Sequence, residues 1–192
     1  MFDLPLILGS RSSRRQELLA EAGFAFSVVP PDDGLEDERL SNESPSDYVK
    51  RLALRKAENV LGKIKKGIVI ACDTIVVADG EILGQPTDRA DAARMLRTLR
   101  GKLHTVHSGL CLASKPNGTR RVEDVVSTLQ MIEFTNDELE EYLDSGAWQG
   151  KAGAFGLQDR NWWVVLLDGS ESNVVGLPLE LLKQMIESNE FS

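Results

Sequence analysis

At 192 residues, 42% hydrophobic and 27% charged, the chain is long enough to bury a sizeable core as one domain or two small lobes. A formal net charge of −8 argues against a nucleic-acid backbone as partner, but leaves room for a small anion held by a local basic cluster. No apolar stretch reaches membrane-spanning length, Asp3 and Pro5 interrupt any leader-like start, and Cys72 and Cys111 make neither a metal spacing nor a disulfide framework, so a cytoplasmic protein with two small buried thiols is expected.

Leu4 to Leu8 form a short apolar run that reads as a buried strand. The chain then turns through Gly9 to Ser13 into a helix, for which Ser13 is the expected N-cap with Gln16 completing a capping box, and Gly23 is the expected left-handed stop. Ser10, Ser12, Ser13, Arg11, Arg14 and Arg15 therefore crowd one strand-to-helix corner, where helix N–H groups and arginine forks suit phosphate oxygens. The plainer reading of the same corner is a solvated helix start. Neither a P-loop nor a dinucleotide fingerprint is present.

A second strand is expected over Phe24 to Val29, stopped by Pro30 and Pro31, followed by an acidic loop from Asp32 to Ser46. Apolar positions Val49, Leu52, Ala53, Ala57 and Val60 recur at helical spacing and predict a helix from about Pro45 to Gly62, with Lys50, Arg51, Arg55 and Lys56 on its other faces. Ile68 to Ala78 is the strongest strand, and Asp73 lies inside it. A carboxylate there costs several kcal/mol unless it is paired, hydrogen-bonded or metal-bound, or unless it marks a bulge or strand end.

Asp79-Gly80 turns the chain into a hairpin strand Glu81 to Leu83, and Pro86 and Asp88 open a helix through Leu99. Strands are expected over Thr105 to Ala113 and Val122 to Phe134, joined at Pro116-Asn117-Gly118. A helix over Thr135 to Leu143, capped by Thr135 and Glu138, precedes a glycine- and alanine-rich segment, Gly146 to Gly156, with one cation, Lys151. Trp162 to Leu167 reads as a strand, and Asn173 to Pro178 as a tight turn into a last helix, Leu179 to Ile186. Helices interleaved with strands and hairpins predict an α/β fold with a mixed sheet.

The Ser/Arg corner, Asp73, Lys56 and the segment KAGAFGLQ from Lys151 to Gln158 together resemble the Maf family of nucleotide pyrophosphatases, whose chains begin with a strand and S-x-S-x-R-R. Ser10, Ser12, Arg14 and Arg15 fill that pattern. The likeness continues through Tyr48-Val49, Arg51-Leu52-Ala53, Lys56-Ala57, Asp73-Thr74, Pro86, Asp88, Gly101, His104, Ser108-Gly109 and Val174 to Pro178, nearly the whole chain. It implies one Maf-like domain over residues 1–192. The implied architecture is an elongated mixed sheet with two lobes flanking a cleft, as in inosine triphosphate pyrophosphatases, and commonly a homodimer. The chain departs from the family at Ser13, where proline is usual, at Gln85, where lysine is usual, and at Ala147-Trp148, where Glu-Pro is usual.

The implied activity is hydrolysis of a nucleoside triphosphate to the monophosphate and pyrophosphate. Ser10, Ser12, Arg14, Arg15, Lys56 and Lys151 can neutralise the triphosphate. Glu36 (or Asp37) and Asp73 can offer oxygen ligands to Mg2+ or Mn2+, and the resemblance assigns Asp73 as general base. Catalytic roles therefore fall to Asp73, Lys56 and Lys151. Arg14, Thr74 and Gln158 match the subgroup acting on dTTP and UTP, an amide at 158 being able to both donate to and accept from a pyrimidine edge. Two other readings remain: a non-catalytic nucleotide-binding regulator of septum formation, if Gln85 disables turnover, and a pyrophosphatase for modified purine nucleotides.

Overall fold

The computed structural model describes residues 4–36, 39–157, 159 and 163–188. The chain divides into two compact units, the first made of Met1–Asp73, Ser108–Val125 and Gly176–Ser192, the second of Thr74–His107 and Val126–Val175. Among the described residues there are seven strands, β1 (Leu6–Leu8), β2 (Phe26–Val28), β3 (Gly67–Ala78), β4 (Glu81–Leu83), β5 (Leu103–Lys115), β6 (Arg120–Met131) and β7 (Val164–Asp168). They hydrogen-bond in the order β2-β1-β3-β5-β6-β7, with β4 on β3. β1 runs parallel to β2 and β3, whereas β4 and β7 are antiparallel to their neighbours, so the sheet is mixed as expected.

In the first unit, strand alternation sorts the apolar run of β3 onto two faces. Leu6, Leu8, Ile68, Ile70, Cys72, Leu110 and Leu112 pack with Leu19 of helix α1 (Ser13–Glu21) and Leu182 and Met185 of helix α6 (Leu179–Glu187). Ile7, Val69, Ala71, Cys111 and Ala113 pack with Ala53, Ala57 and Val60 of helix α2 (Pro45–Lys63). A strand covered on both faces needs apolar residues throughout, which is why 68–72 reads as an unbroken apolar run rather than an alternating one. Gly109 permits close approach of α2: a Cβ there would run into the Val49 carbonyl.

The second unit packs helices α3 (Arg89–Leu99) and α4 (Asn136–Asp144) and a 3₁₀ turn (Ala152–Ala154) around one core. Trp163 stacks on Phe134 at 4.2 Å within that core. Asp88 caps α3, and Thr135 with Glu138 forms the expected capping box of α4. One expectation fails here. Asn173 to Val175 belong to a short helix, α5 (Glu171–Val175), not to a tight turn, because Ser170 Oγ accepts from Asn173 N–H and opens a helical turn. β6 also stops at Met131, three residues short of Phe134, where Ile132 N–H turns to the carbonyl of Trp163.

Candidate active site

The Ser/Arg corner follows β1 directly. Gly9 N–H still donates to Ile70 O at 2.8 Å, and the chain then leaves the sheet. The helix cap is Ser12, not Ser13. Ser12 keeps extended backbone angles and its Oγ accepts from Arg15 N–H, while Ser13 is already the first helical residue. The capping box with Gln16 is accordingly replaced by a simple serine cap. Ser10 is buried, and its Oγ accepts from Ser12 N–H at 3.2 Å and from Arg15 Nη1 at 3.4 Å. Arg15 Nε donates to Gly176 O at 2.7 Å, fixing the guanidinium beside the helix start. Arg14 lies half-buried one residue earlier. Arg11 instead pairs with Asp33 at the surface.

Asp73 falls on the β3 face that carries Val69 and Ala71, the face covered by α2. Lys56 of α2 meets it there. Lys56 Nζ donates to Asp73 Oδ1 at 2.5 Å and to Glu36 Oε1 at 2.7 Å. Burial, the largest single effect, works against the Lys56 ammonium, and Arg15 opposes its charge too; the Asp73 and Glu36 carboxylates and the hydrogen bond to Asp73 together outweigh them, and the net effect is a raised pKa. The corner, Lys56, Asp73 and Glu36 are thus one electrostatic group inside the first unit. Tyr48 also belongs near it: burial raises the pKa of its phenol, and the Asp73 charge raises it further. Asp73 and Glu36 form a hard-oxygen donor pair suited to a divalent cation that brings its own waters and phosphates. Among the described residues, no group of three or more His, Cys, Asp or Glu could hold a metal by itself.

In the second unit, Lys151 precedes the 3₁₀ turn and forms an ion pair with Asp159. Asp159 Oδ2 also accepts from Tyr142 Oη at 3.0 Å, and Tyr142 is buried in the unit's core. Sequence reasoning missed Asp159. Its only signal is an acidic residue eight positions after the lone cation of a glycine-rich segment. Gly153 has φ 68°, and a Cβ there would press on Val76; Thr74 lies on the same strand face as Val76. Gly153 N–H donates to Gly84 O at 3.0 Å, which brings the exposed Gln85 next to the Lys151 turn. His104 is buried with its ring edge-on to Phe155 at 5.3 Å. Burial lowers its pKa to about 4, against the opposing effect of the Lys102 carbonyl, and among the described residues its Nε2 has no partner. Gln158 and the alternative ligand Asp37 lie outside the described residues.

The pattern of the Maf-like proteins matches residues 5–189. A dTTP/UTP pyrophosphatase of Rhodopirellula baltica is 47% identical over 186 residues, 96% of this chain and 82% of that protein. Another protein of that name, from Dictyoglomus thermophilum, is 38% identical and aligned over 97% of both chains. Among solved structures, a HAM1 protein from Coxiella burnetii aligns over 96% of this chain and 99% of its own with a TM-score of 0.52 at 13% identity, a likeness of fold. No helix among the described residues is long and apolar enough to cross a membrane. With its serine-arginine corner, the Lys56–Asp73 pair and a family match running from residue 5 to residue 189, the chain belongs to the Maf family.

Proposed function

We propose that this protein hydrolyses dTTP and UTP to the monophosphate and pyrophosphate, with residues 1–192 acting as a single Maf-like domain of a cytoplasmic homodimer. The observation that carries the reading is Lys56, whose ammonium is held between Asp73 and Glu36 within electrostatic reach of Arg15. The relatives named dTTP/UTP pyrophosphatase support the same chemistry.

Ser10 and Ser12 donate their hydroxyl protons to phosphate oxygens, and Arg14, Arg15, Lys56 and Lys151 neutralise the triphosphate. Lys56 holds Asp73 by Oδ1, so that the carboxylate is oriented to take a proton from the attacking water. The water oxygen bonds to phosphorus as the bond to the α–β bridging oxygen breaks, and pyrophosphate leaves. Asp73 and Glu36 would hold Mg2+ or Mn2+; when bound, the cation neutralises charge and polarises the phosphoryl oxygens. Arg14, Thr74 and Gln158 select the pyrimidine, the amide of Gln158 offering both a donor and an acceptor.

The test is product analysis with dTTP, UTP, canonical purine triphosphates and modified purine triphosphates, with Mg2+ or Mn2+. Expected are monophosphate and pyrophosphate, fastest from dTTP and UTP. Asp73→Asn should keep its fold and bind nucleotide while turnover falls at least about a hundredfold, the scale of a lost general base. Turnover near the parental rate in that variant would make Asp73 structural. The absence of the usual lysine at Gln85 favours the regulator as second reading; binding of dTTP without any product would decide for it. Preference for a modified purine would move the substrate class.

A further inference from the structure

The Lys151 side chain does not stand alone on its turn. Its ammonium is paired with Asp159, whose Oδ2 also accepts the Tyr142 hydroxyl at 3.0 Å. Tyr142 is 2% exposed and its ring lies 5.3 Å from that of Trp163, so the phenol is fixed by the core. Asp159 is fixed from its backbone as well, its N–H donating to Gly156 O at 3.1 Å. Gly156 leaves the space the pair occupies: a Cβ there would stand 2.6 Å from Asp159 Oδ2 and 2.9 Å from Lys151 Nζ. Core, tyrosine, carboxylate and ammonium thus form a chain ending at the cation.

From this geometry, and resting on the reading of Lys151 as a phosphate-facing cation, we infer that Asp159 is a positioning residue for Lys151. A lysine on a glycine-rich turn has four side-chain torsions to restrict before it can meet a phosphate. Asp159 restricts them ahead of binding. The same carboxylate competes with the triphosphate for the ammonium and repels the incoming anion. Asp159 therefore trades strength of binding for position: it weakens capture of the nucleotide and speeds the step that needs Lys151 in place.

Asp159→Asn preserves shape and can still accept from Tyr142, so the fold should hold. We expect its KM for dTTP to fall severalfold and its kcat to fall about tenfold or more, a split in opposite catalytic directions that loss of structure does not produce. In a Lys151→Ala background, Asp159→Asn should change kcat no further. Tyr142→Phe should shift both constants the same way by a smaller factor, and it stands as the second variant if Asp159→Asn does not fold. Unchanged constants in Asp159→Asn, or an equal fall in kcat with and without Lys151, would overturn the assignment while leaving Lys151 in its role. Parental kcat and KM in Lys151→Ala alone would instead remove the role of Lys151, and with it this inference.

Discussion

Lys56 in the first unit and Lys151 in the second are both proposed as phosphate-facing cations, yet they are held by different means. Lys56 projects from the middle of a 19-residue helix onto a central strand, between two carboxylates. Asp73, its closer partner, is 9% exposed in its side chain. Lys151 sits at the edge of a 3₁₀ turn and is paired with the Asp159 carboxylate, 21% exposed in its side chain, which a core tyrosine holds in turn. Packing of regular elements positions the first cation, and a short relay of side chains positions the second. The first arrangement ties the site to global stability. The second leaves its lysine movable by local changes.

Removing each cation should expose that difference. Lys56→Met strands a buried carboxylate and should destabilise the fold by about 3–5 kcal/mol, read from denaturant unfolding. Lys151→Met leaves Asp159 with its tyrosine and more open to water than Asp73, and should cost less than Lys56→Met. Equal losses would erase the distinction. The raised pKa of Lys56 carries a sign: the stability it contributes is whole below the ordinary lysine pKa near 10.5 and is lost only as pH rises through its higher folded value.

His104 gives the second unit a pH response of the opposite sense. A folded-state pKa of about 4 against 6.5 makes the neutral ring the stabilising form, so its contribution is whole above pH 6.5 and declines as pH falls toward 4. The loss should be about 3 kcal/mol. His104→Gln should flatten the stability profile over that window; an unchanged profile would place the acid sensitivity elsewhere.

Arg15→Ala tests the corner of the first unit. A charge-assisted contact is worth about 1.5–3 kcal/mol, so triphosphate binding should weaken about 10- to 100-fold while binding of the unphosphorylated nucleoside changes less. Equal weakening in calorimetry would place the guanidinium away from the phosphates. The smallest effect is expected at Gln85, next to the Lys151 turn. Gln85→Lys restores the cation usual in the family and should raise turnover a few-fold, most at low salt, where charges are least screened. No gain would show that position 85 does not face the phosphates in this chain.

Local signals made most elements legible. The apolar period of α2, the Asp79-Gly80 turn and the Thr135–Glu138 capping box each act within a few residues, and each element appears close to its expected bounds. The corner motif was equally plain, being contiguous in sequence. At the start of α1, two local solutions were nearly equal. Ser12 and Ser13 are both competent caps, and the choice fell to whichever serine stands where the chain leaves β1.

The residue types that carry charge and hydroxyl groups in the two units were determined by the sequence alone: three serines and three arginines beside a strand and one aspartate inside another in the first, one lysine in a glycine-rich segment in the second. Their partners were decided only in three dimensions. Asp73 and Lys56 are 17 residues apart and on different elements, and they meet because strand alternation turns Asp73 toward the face that α2 covers. Asp159 resembled any polar turn residue until the core placed Tyr142 against it. A side chain's chemistry is local, whereas the burial that makes a charge require a particular partner belongs to the packed fold.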